Sequence, residues 1–384
     1  MRRGIKVISS WIVLAALFFF LFGGTAQADL DIKGESAILV EAQSGDILYE
    51  KDAHKKWYPA SMTKIMTMIL ALEAVRDGKA NLEDMVISSE YACGYGGTQV
   101  WLEPGEEFTL KEMLIAIAVG SANDCSVAVA EHLAGTDKAF ADMMTKKAKE
   151  LGAKNTNFTN SHGLHDDDHY TTAYDLSLMA RYALTLPHMT DFTTIKEYTF
   201  REEPKLLVLH NTNKLLWWFE GTKGLKTGTT SAAKRNLTAV AEKDGLDLIS
   251  VVMGVDERNG HFTQSMNLLR HGFAKYEFKM FFEKDQEVAQ IEVGKGIQEH
   301  VHVVPLDPVG IAVPKGDEEA HEVRLDLPKM VEAPIEKGME VGRAVVLKGK
   351  KEMSSVPLVA SQDVGRCTLF QQLKKVLNAV FVIN

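Results

Sequence analysis

The sequence predicts an α/β domain with a sheet assembled from distant parts of the chain, then a small all-β domain and a C-terminal amphipathic helix. Three observations carry that expectation. Strand-and-turn patterns bracket a long helical stretch, short alternating apolar runs broken by Pro and Gly fill the region beyond about residue 285, and the final residues are apolar at helical spacing. A length of 384 residues also exceeds one ordinary domain. The expected divisions are 1–28, 29–280, 281–366 and 367–384. With 46% hydrophobic and 25% charged residues, the chain can fill packed cores and still present a soluble surface. A formal net charge of -9 argues against nucleic acid as a partner, because phosphate binding needs a basic surface.

The first segment has the marks of a signal peptide. Arg2, Arg3 and Lys6 make a basic start, Trp11 to Phe22 is an uninterrupted apolar run, and Ala26-Gln27-Ala28 has the small-x-small form of a cleavage site. The apolar run is short for a permanent span. The mature chain is therefore expected to begin near Asp29, outside the cytoplasmic membrane. Cys93, Cys125 and Cys367 are too few for a disulfide framework, and no pair has metal-ligand spacing. Cys125 lies in an apolar segment and is expected to be buried.

The elements follow in order. Ala37 to Leu39 and Ile47 to Tyr49 flank Gln43-Ser44-Gly45-Asp46, the pattern of a hairpin. From Ser61 the apolar residues Ile65, Met66, Met68, Ile69, Leu70 and Leu72 lie on nearly every face, as in a helix at the centre of a core. Further helical patterns cover Leu110 to Val119, Cys125 to Leu133 and Lys138 to Leu151. Leu237 to Val240 and Leu246 to Val252 form a second hairpin around Asp244-Gly245, and a helix from about Thr263 to Phe273 closes the unit. Val301 to Val304 and Ala344 to Leu347 are strands of the β-rich region. In the tail, Leu369, Phe370, Leu373, Val376, Leu377, Val380 and Phe381 make one apolar face opposite Lys374 and Lys375. That pattern suits a membrane surface, or docking on the β domain.

Three short motifs carry chemistry: Ser61-Met62-Thr63-Lys64, Ser121-Ala122-Asn123 and Lys226-Thr227-Gly228. Decoys exist at Ser231-Ala232-Ala233-Lys234 and Ser265-Met266-Asn267, but only Ser61 opens a buried helical pattern. Residues three apart on a helix share a face, so Lys64 can reach the Ser61 hydroxyl. A serine is a weak nucleophile until a base takes its proton. Lysine serves as that base when burial and a nearby cation, here Lys226, disfavour its charge. Ser121 can relay a proton to a leaving amine while Asn123 holds a peptide backbone, and the two can equally cap the helix that follows. Lys226 and Thr227 offer a cation and a hydroxyl to a carboxylate, and Gly228 is expected to let a substrate backbone approach. The N–H groups of Thr229 and Ser61 are the expected oxyanion donors. His162, His165, Asp166, Asp167, Asp168 and His169 are metal-ligand types at no standard spacing. They read as a solvated loop beside the cleft. No metal and no cofactor is expected.

With these motifs and Tyr58-Pro59-Ala60, Leu102-Glu103-Pro104-Gly105-Glu106, His162-Gly163-Leu164 and Gly224-Leu225, the chain resembles the D-alanyl-D-alanine carboxypeptidases, low-molecular-mass penicillin-binding proteins of serine peptidase family S11. The resemblance implies a penicillin-binding, β-lactamase-like transpeptidase domain with a mixed sheet and a helical subdomain, a β-rich C-terminal domain and an amphipathic membrane anchor. It implies that Ser61 is acylated by the penultimate D-Ala of a peptidoglycan stem peptide, that terminal D-Ala leaves, and that water frees the product. β-Lactams mimic that peptide end, so they are expected partners. The enzyme is expected on the outer face of the cytoplasmic membrane or in the wall. The second motif has Ala122 where the family often has Gly. The family also has an arginine after the second hairpin that helps bind the terminal carboxylate. Ungapped counting from Lys226 brings His261 there, and a short insertion brings Arg258, the residue expected to serve. A β-lactamase and a penicillin-binding sensor or scaffold share the motifs and are the alternative readings.

Overall fold

Five antiparallel strands organise the first domain, in the order β2-β1-β5-β4-β3. They are β1 (Ser36–Glu41), β2 (Ile47–Lys51), β3 (Thr222–Thr230), β4 (Lys234–Lys243) and β5 (Leu246–Val255) in the computed structural model, which describes residues 30–372. Strand β1 pairs with β5 from Ser36↔Met253 to Glu41↔Leu248, so residues more than two hundred apart close one sheet. A mixed sheet was expected, and every ladder here is antiparallel instead. The connections explain this: three of the four pairings join neighbours in sequence or close a hairpin, and only βαβ crossovers impose parallel strands. The Asp244-Gly245 turn between β4 and β5 has both residues at positive φ, 51 and 80, which matches the twist of a two-residue hairpin.

The long excursion between β2 and β3 forms the helical region. Its centre is α1 (Lys64–Arg76), entered through a 3-10 turn at Ala60–Thr63. Every residue from Lys64 to Glu73 is buried, as its unbroken apolar pattern demands. Around it lie α2 (Leu110–Ile115), α3 (Asn123–Ala134), α4 (Asp137–Glu150) and α5 (Ala173–Leu184). The helical pattern expected at Leu110 to Val119 divides, because a π-helical segment at Ala116–Gly120 follows α2 and ends at Ser121. Helix α5 carries a capping signal that the hydrophobic pattern alone did not expose: Thr172 accepts a hydrogen bond from Asp175 N.

The sheet separates two packed layers. Ile38, Val40, Val240, Ile249, Val251 and Met253 face the helical core around α1. On the other face α6 (Gly260–Lys275) packs so closely that a Cβ at Gly272 would lie 2.4 Å from Leu248 and 2.9 Å from Leu39. The C-terminal region is all β, with a six-stranded sheet and a two-stranded ribbon of Tyr276–Phe282 against Val309–Pro314. Val301, Val303, Ile311, Val346 and Leu358 are among the side chains of its separate core. The three cysteines are free, and Cys125 is buried as expected. Among the described residues no helix is long and apolar enough to cross a membrane. Both the expected signal segment, 1–28, and most of the expected amphipathic tail, from 373 onward, lie outside the described residues.

Removing volume beside the central helix tests this layering. Ile69→Ala should destabilise the domain by about 2–5 kcal/mol through lost burial and an imperfectly closed cavity, read as a lower urea midpoint with unchanged slope.

Candidate active site

The site forms where α1, the loop before α3 and the edge strand β3 converge. Ser61 occupies the 3-10 turn rather than α1 itself, and Lys64 begins the helix. Lys64 Nζ lies 3.2 Å from Ser61 Oγ, 2.6 Å from Asn123 Oδ1 and 2.6 Å from the His162 carbonyl oxygen. The last two are acceptors only. A neutral amine has two N–H groups and one lone pair, so both protons are taken and the lone pair is left for the serine hydroxyl. Burial holds the Lys64 proton affinity well below the usual lysine value, and the neighbouring Lys226 charge lowers it further. The geometry places the amine within reach of the serine hydroxyl, and burial favours its neutral form.

The serine turn is held from below. Asn236 Nδ2 donates to Tyr58 O at 2.9 Å, and Thr63 Oγ1 donates to Ala60 O at 2.8 Å. His169 Nε2 stands 2.7 Å from the same threonine oxygen while its Nδ1 accepts from Thr159 N, so its single proton points at Thr63. Thr67 Oγ1 donates to Ser161 O, one residue before the carbonyl that receives Lys64. Gly163, at φ 88, allows this loop to approach: a Cβ there would sit 1.9 Å from Ala60 O.

The expected solvated loop is thus only half solvated. His165 and Asp166 to Asp168 are exposed, but His162 and His169 are buried. Burial lowers the proton affinity of both, to about 2 for His162 and about 4 for His169. His162 Nδ1 accepts from Leu164 N, and its Nε2 lies 3.9 Å from Asp137 Oδ2, an approach between a neutral ring and a carboxyl rather than an ion pair. The reversal has a physical cause: each imidazole is enclosed by the same contacts that clip the loop to α1. Composition marked the two histidines as polar, and only their neighbours in space show them to be supports.

Lys226, Thr227 and Gly228 lie within strand β3, where the sequence pattern placed a strand only from near Leu237. Lys, Thr and Gly make no apolar alternation, so the edge strand was hidden. Lys226 Nζ is buried with no hydrogen-bond partner among the described residues, and burial lowers its proton affinity to about 7. Thr227 Oγ1 donates to Thr212 Oγ1 at 2.8 Å. The missing side chain at Gly228 serves a contact within the protein, since a Cβ would lie 2.5 Å from Pro59 O and 3.1 Å from Met62 N. It admits the serine turn itself. Thr229 is exposed and pairs across the ladder with Arg235.

Ser121 has a left-handed backbone, φ 63 and ψ 33, between the π-helical segment and α3. Asn123 reaches Lys64 with its oxygen and Gly96 O with its nitrogen, 2.8 Å away. Arg258 is exposed in the turn between β5 and α6, whereas His261 is buried and its proton affinity falls to about 4. A neutral His261 supplies no cation at pH 7. Arg235, which the sequence reading did not single out, shares the Thr229 face of the sheet and donates to Asp256 O.

The family model of the D-alanyl-D-alanine carboxypeptidases matches residues 23–257, and that of the penicillin-binding protein 5 C-terminal domain matches residues 276–366. The chain is 39% identical over 358 residues to D-alanyl-D-alanine carboxypeptidase DacF of Bacillus subtilis, covering 92% of each. It is 32% identical over 386 residues to D-alanyl-D-alanine carboxypeptidase DacA of Haemophilus influenzae, covering 97% of this chain and 96% of that one. The crystal structure of penicillin binding protein 5 from Haemophilus influenzae matches with a TM-score of 0.67 and 33% identity, over 88% of this chain and 98% of that one. A Streptococcus pneumoniae peptidoglycan synthesis regulatory factor, PBP3, matches with a TM-score of 0.71 and 27% identity, over 87% of this chain and 100% of that one.

The paired lysines give a pH test. Lys226→Met removes the cation that lowers the Lys64 proton affinity, so the Lys64 value should rise. The acid limb of the penicillin acylation rate should then move to higher pH, measured with a chromogenic β-lactam across pH 5 to 9.

Proposed function

The chain belongs to the D-alanyl-D-alanine carboxypeptidase family, and we propose on that premise that it releases the terminal D-alanine of peptidoglycan stem peptides through an ester on Ser61. The observation that carries the proposal is the buried Lys64 amine, 3.2 Å from Ser61 Oγ and bonded to Asn123 Oδ1 and the His162 carbonyl, in surroundings that favour its neutral form. Ser61 Oγ attacks the carbonyl carbon between the two D-alanines as Lys64 takes the hydroxyl proton. The N–H groups of Ser61 and Thr229 receive the oxyanion, an interaction worth roughly a hundred- to a thousand-fold in rate for each donor. Ser121 passes the proton from Lys64 to the departing amine, and D-alanine leaves. Water then attacks the ester with Lys64 as base, freeing Ser61 and the shortened peptide.

The substrate carboxylate is met by Lys226 and by the hydroxyls of Thr227 and Thr229. Lys226 suits this role because its buried ammonium has no protein partner among the described residues. An incoming carboxylate would stabilise its charge and raise its proton affinity. Arg258, exposed in its turn, supplies a further cation, and Arg235, which donates to Asp256 O, supplies another. Asn123 aligns the peptide on the acyl side, and Gly228 keeps β3 against the serine turn. A β-lactam acylates Ser61 in the same way, but its leaving group stays tethered to the opened ring and obstructs water.

Export and attachment to the outer face of the membrane belong to the same proposal. They are supported by the basic start, the apolar run and Ala26-Gln27-Ala28 at one end, and by the apolar face of the tail at the other. The proposed divisions remain 1–28, 29–280, 281–366 and 367–384, and the two separate apolar cores are their support.

Intact-mass measurement after penicillin treatment tests the central step. The parent should gain one adduct and Ser61→Ala none, and the parent should free D-alanine from a peptide ending in D-Ala-D-Ala. Equal labelling of both proteins would remove Ser61 from the mechanism, and rapid release of penicillin without D-alanine formation would favour a β-lactamase.

A further inference from the structure

We infer that Trp101 is a contact platform on the acyl side of the cleft, taking the methylene side chain of the residue that precedes D-Ala-D-Ala. The inference rests on the carboxypeptidase reading and extends it to a part of the peptide left unassigned above. Trp101 is 63% exposed, yet its backbone has φ 56. A bulky residue in the left-handed region is an outlier that persists only where its surroundings over-determine it.

Those surroundings are on both sides. Val100 N and Leu102 N each donate to the Asp124 carboxylate, at 3.0 and 3.1 Å, and both flanking side chains are buried. Arg201 donates to the carbonyl oxygens of Val100 and Trp101, and Glu106 holds the same guanidinium. With its amide oxygen turned to the indole, Gln99 accepts from Trp101 Nε1 at 2.9 Å and donates to Tyr95 O. The polar edge of the ring is therefore satisfied internally, and what it presents outward is an aromatic face.

The platform is tied rigidly to the reacting groups. Asp124, which fixes Trp101, adjoins Asn123, which bonds Lys64. Asn123 N donates to Thr98 O and its Nδ2 to Gly96 O, each at 2.8 Å, so residues 96–98 form a wall against Asn123. Lys226 and Thr227 take the leaving end of the substrate on the opposite strand, and the chain upstream of the attacked carbonyl must run along the Asn123 wall. Three positions beyond that wall, the exposed indole of Trp101 offers dispersion area to methylenes and attraction to a terminal ammonium. A long diamino-acid side chain has both.

The test compares Nα-acetyl-L-lysyl-D-alanyl-D-alanine with Nα-acetylglycyl-D-alanyl-D-alanine in the parent, Trp101→Ala, Trp101→Gly and Trp101→Phe. Glycine favours positive φ, so a loss in Trp101→Gly does not come from backbone strain. The Ala and Gly variants should lose roughly tenfold in kcat/KM on the lysyl peptide, and Phe much less. Turnover of the glycyl peptide and acylation by penicillin should stay within about twofold of the parent for all three. An undiminished lysyl rate, or an equal loss on both peptides, overturns the inference. A parent that frees D-alanine from neither peptide instead sinks the carboxypeptidase reading, and this inference with it.

Discussion

One buried amine governs the architecture. Placing Lys64 out of contact with water removes the hydration that favours its ammonium form, and Lys226, equally buried nearby, adds repulsion. Such a group is tolerated only if its remaining polarity is satisfied, and Asn123 and the His162 carbonyl do this with two short hydrogen bonds. The result is an arrangement costly to fold around and suited to taking a proton. The all-round apolar surface of α1 follows from it, since the lysine must sit at the start of a helix that no water reaches.

Much of the surrounding polar network can be understood as holding that lysine and its serine at a fixed spacing. His169 orders Thr63, Thr63 orders Ala60, Asn236 holds the segment before the serine, and the Ser161–His162 carbonyls clip α1 at two points. The sheet contributes an edge. Because β3 has only β4 beside it, its other side is open to the serine turn, and Gly228 lets the two meet without a side chain between them. A reacting peptide would lie between this edge and the wall formed by residues 96–98.

Legibility varied with the kind of signal. Both hairpins and the central helix were readable because their cues are local: an Asp-Gly turn, alternating apolar residues, or an apolar run of helical length. The edge strand was not, because a strand made of Lys, Thr and Gly carries no hydrophobic alternation. Helix α5 had a threonine cap and an apolar face through Leu176, Met179, Ala180 and Ala183, and both were passed over. His162 and His169 looked like solvated polar residues beside a run of aspartates. Their burial depends on packing against α1 and the serine turn, partners roughly a hundred positions away.

The sequence by itself determined both hairpins and the central helix, the presence of a β-rich second region and the identity of the three motifs. These depend on periodicity and on residue type at short spacing. Tertiary structure alone decided that Lys64 is buried within reach of Ser61, that Gly228 lies against the serine turn, and that His261 is buried and neutral while Arg258 stays exposed. The physical reason is common to all of these: proton affinity and close approach depend on which atoms surround a group in three dimensions, and those atoms arrive from segments far apart along the chain.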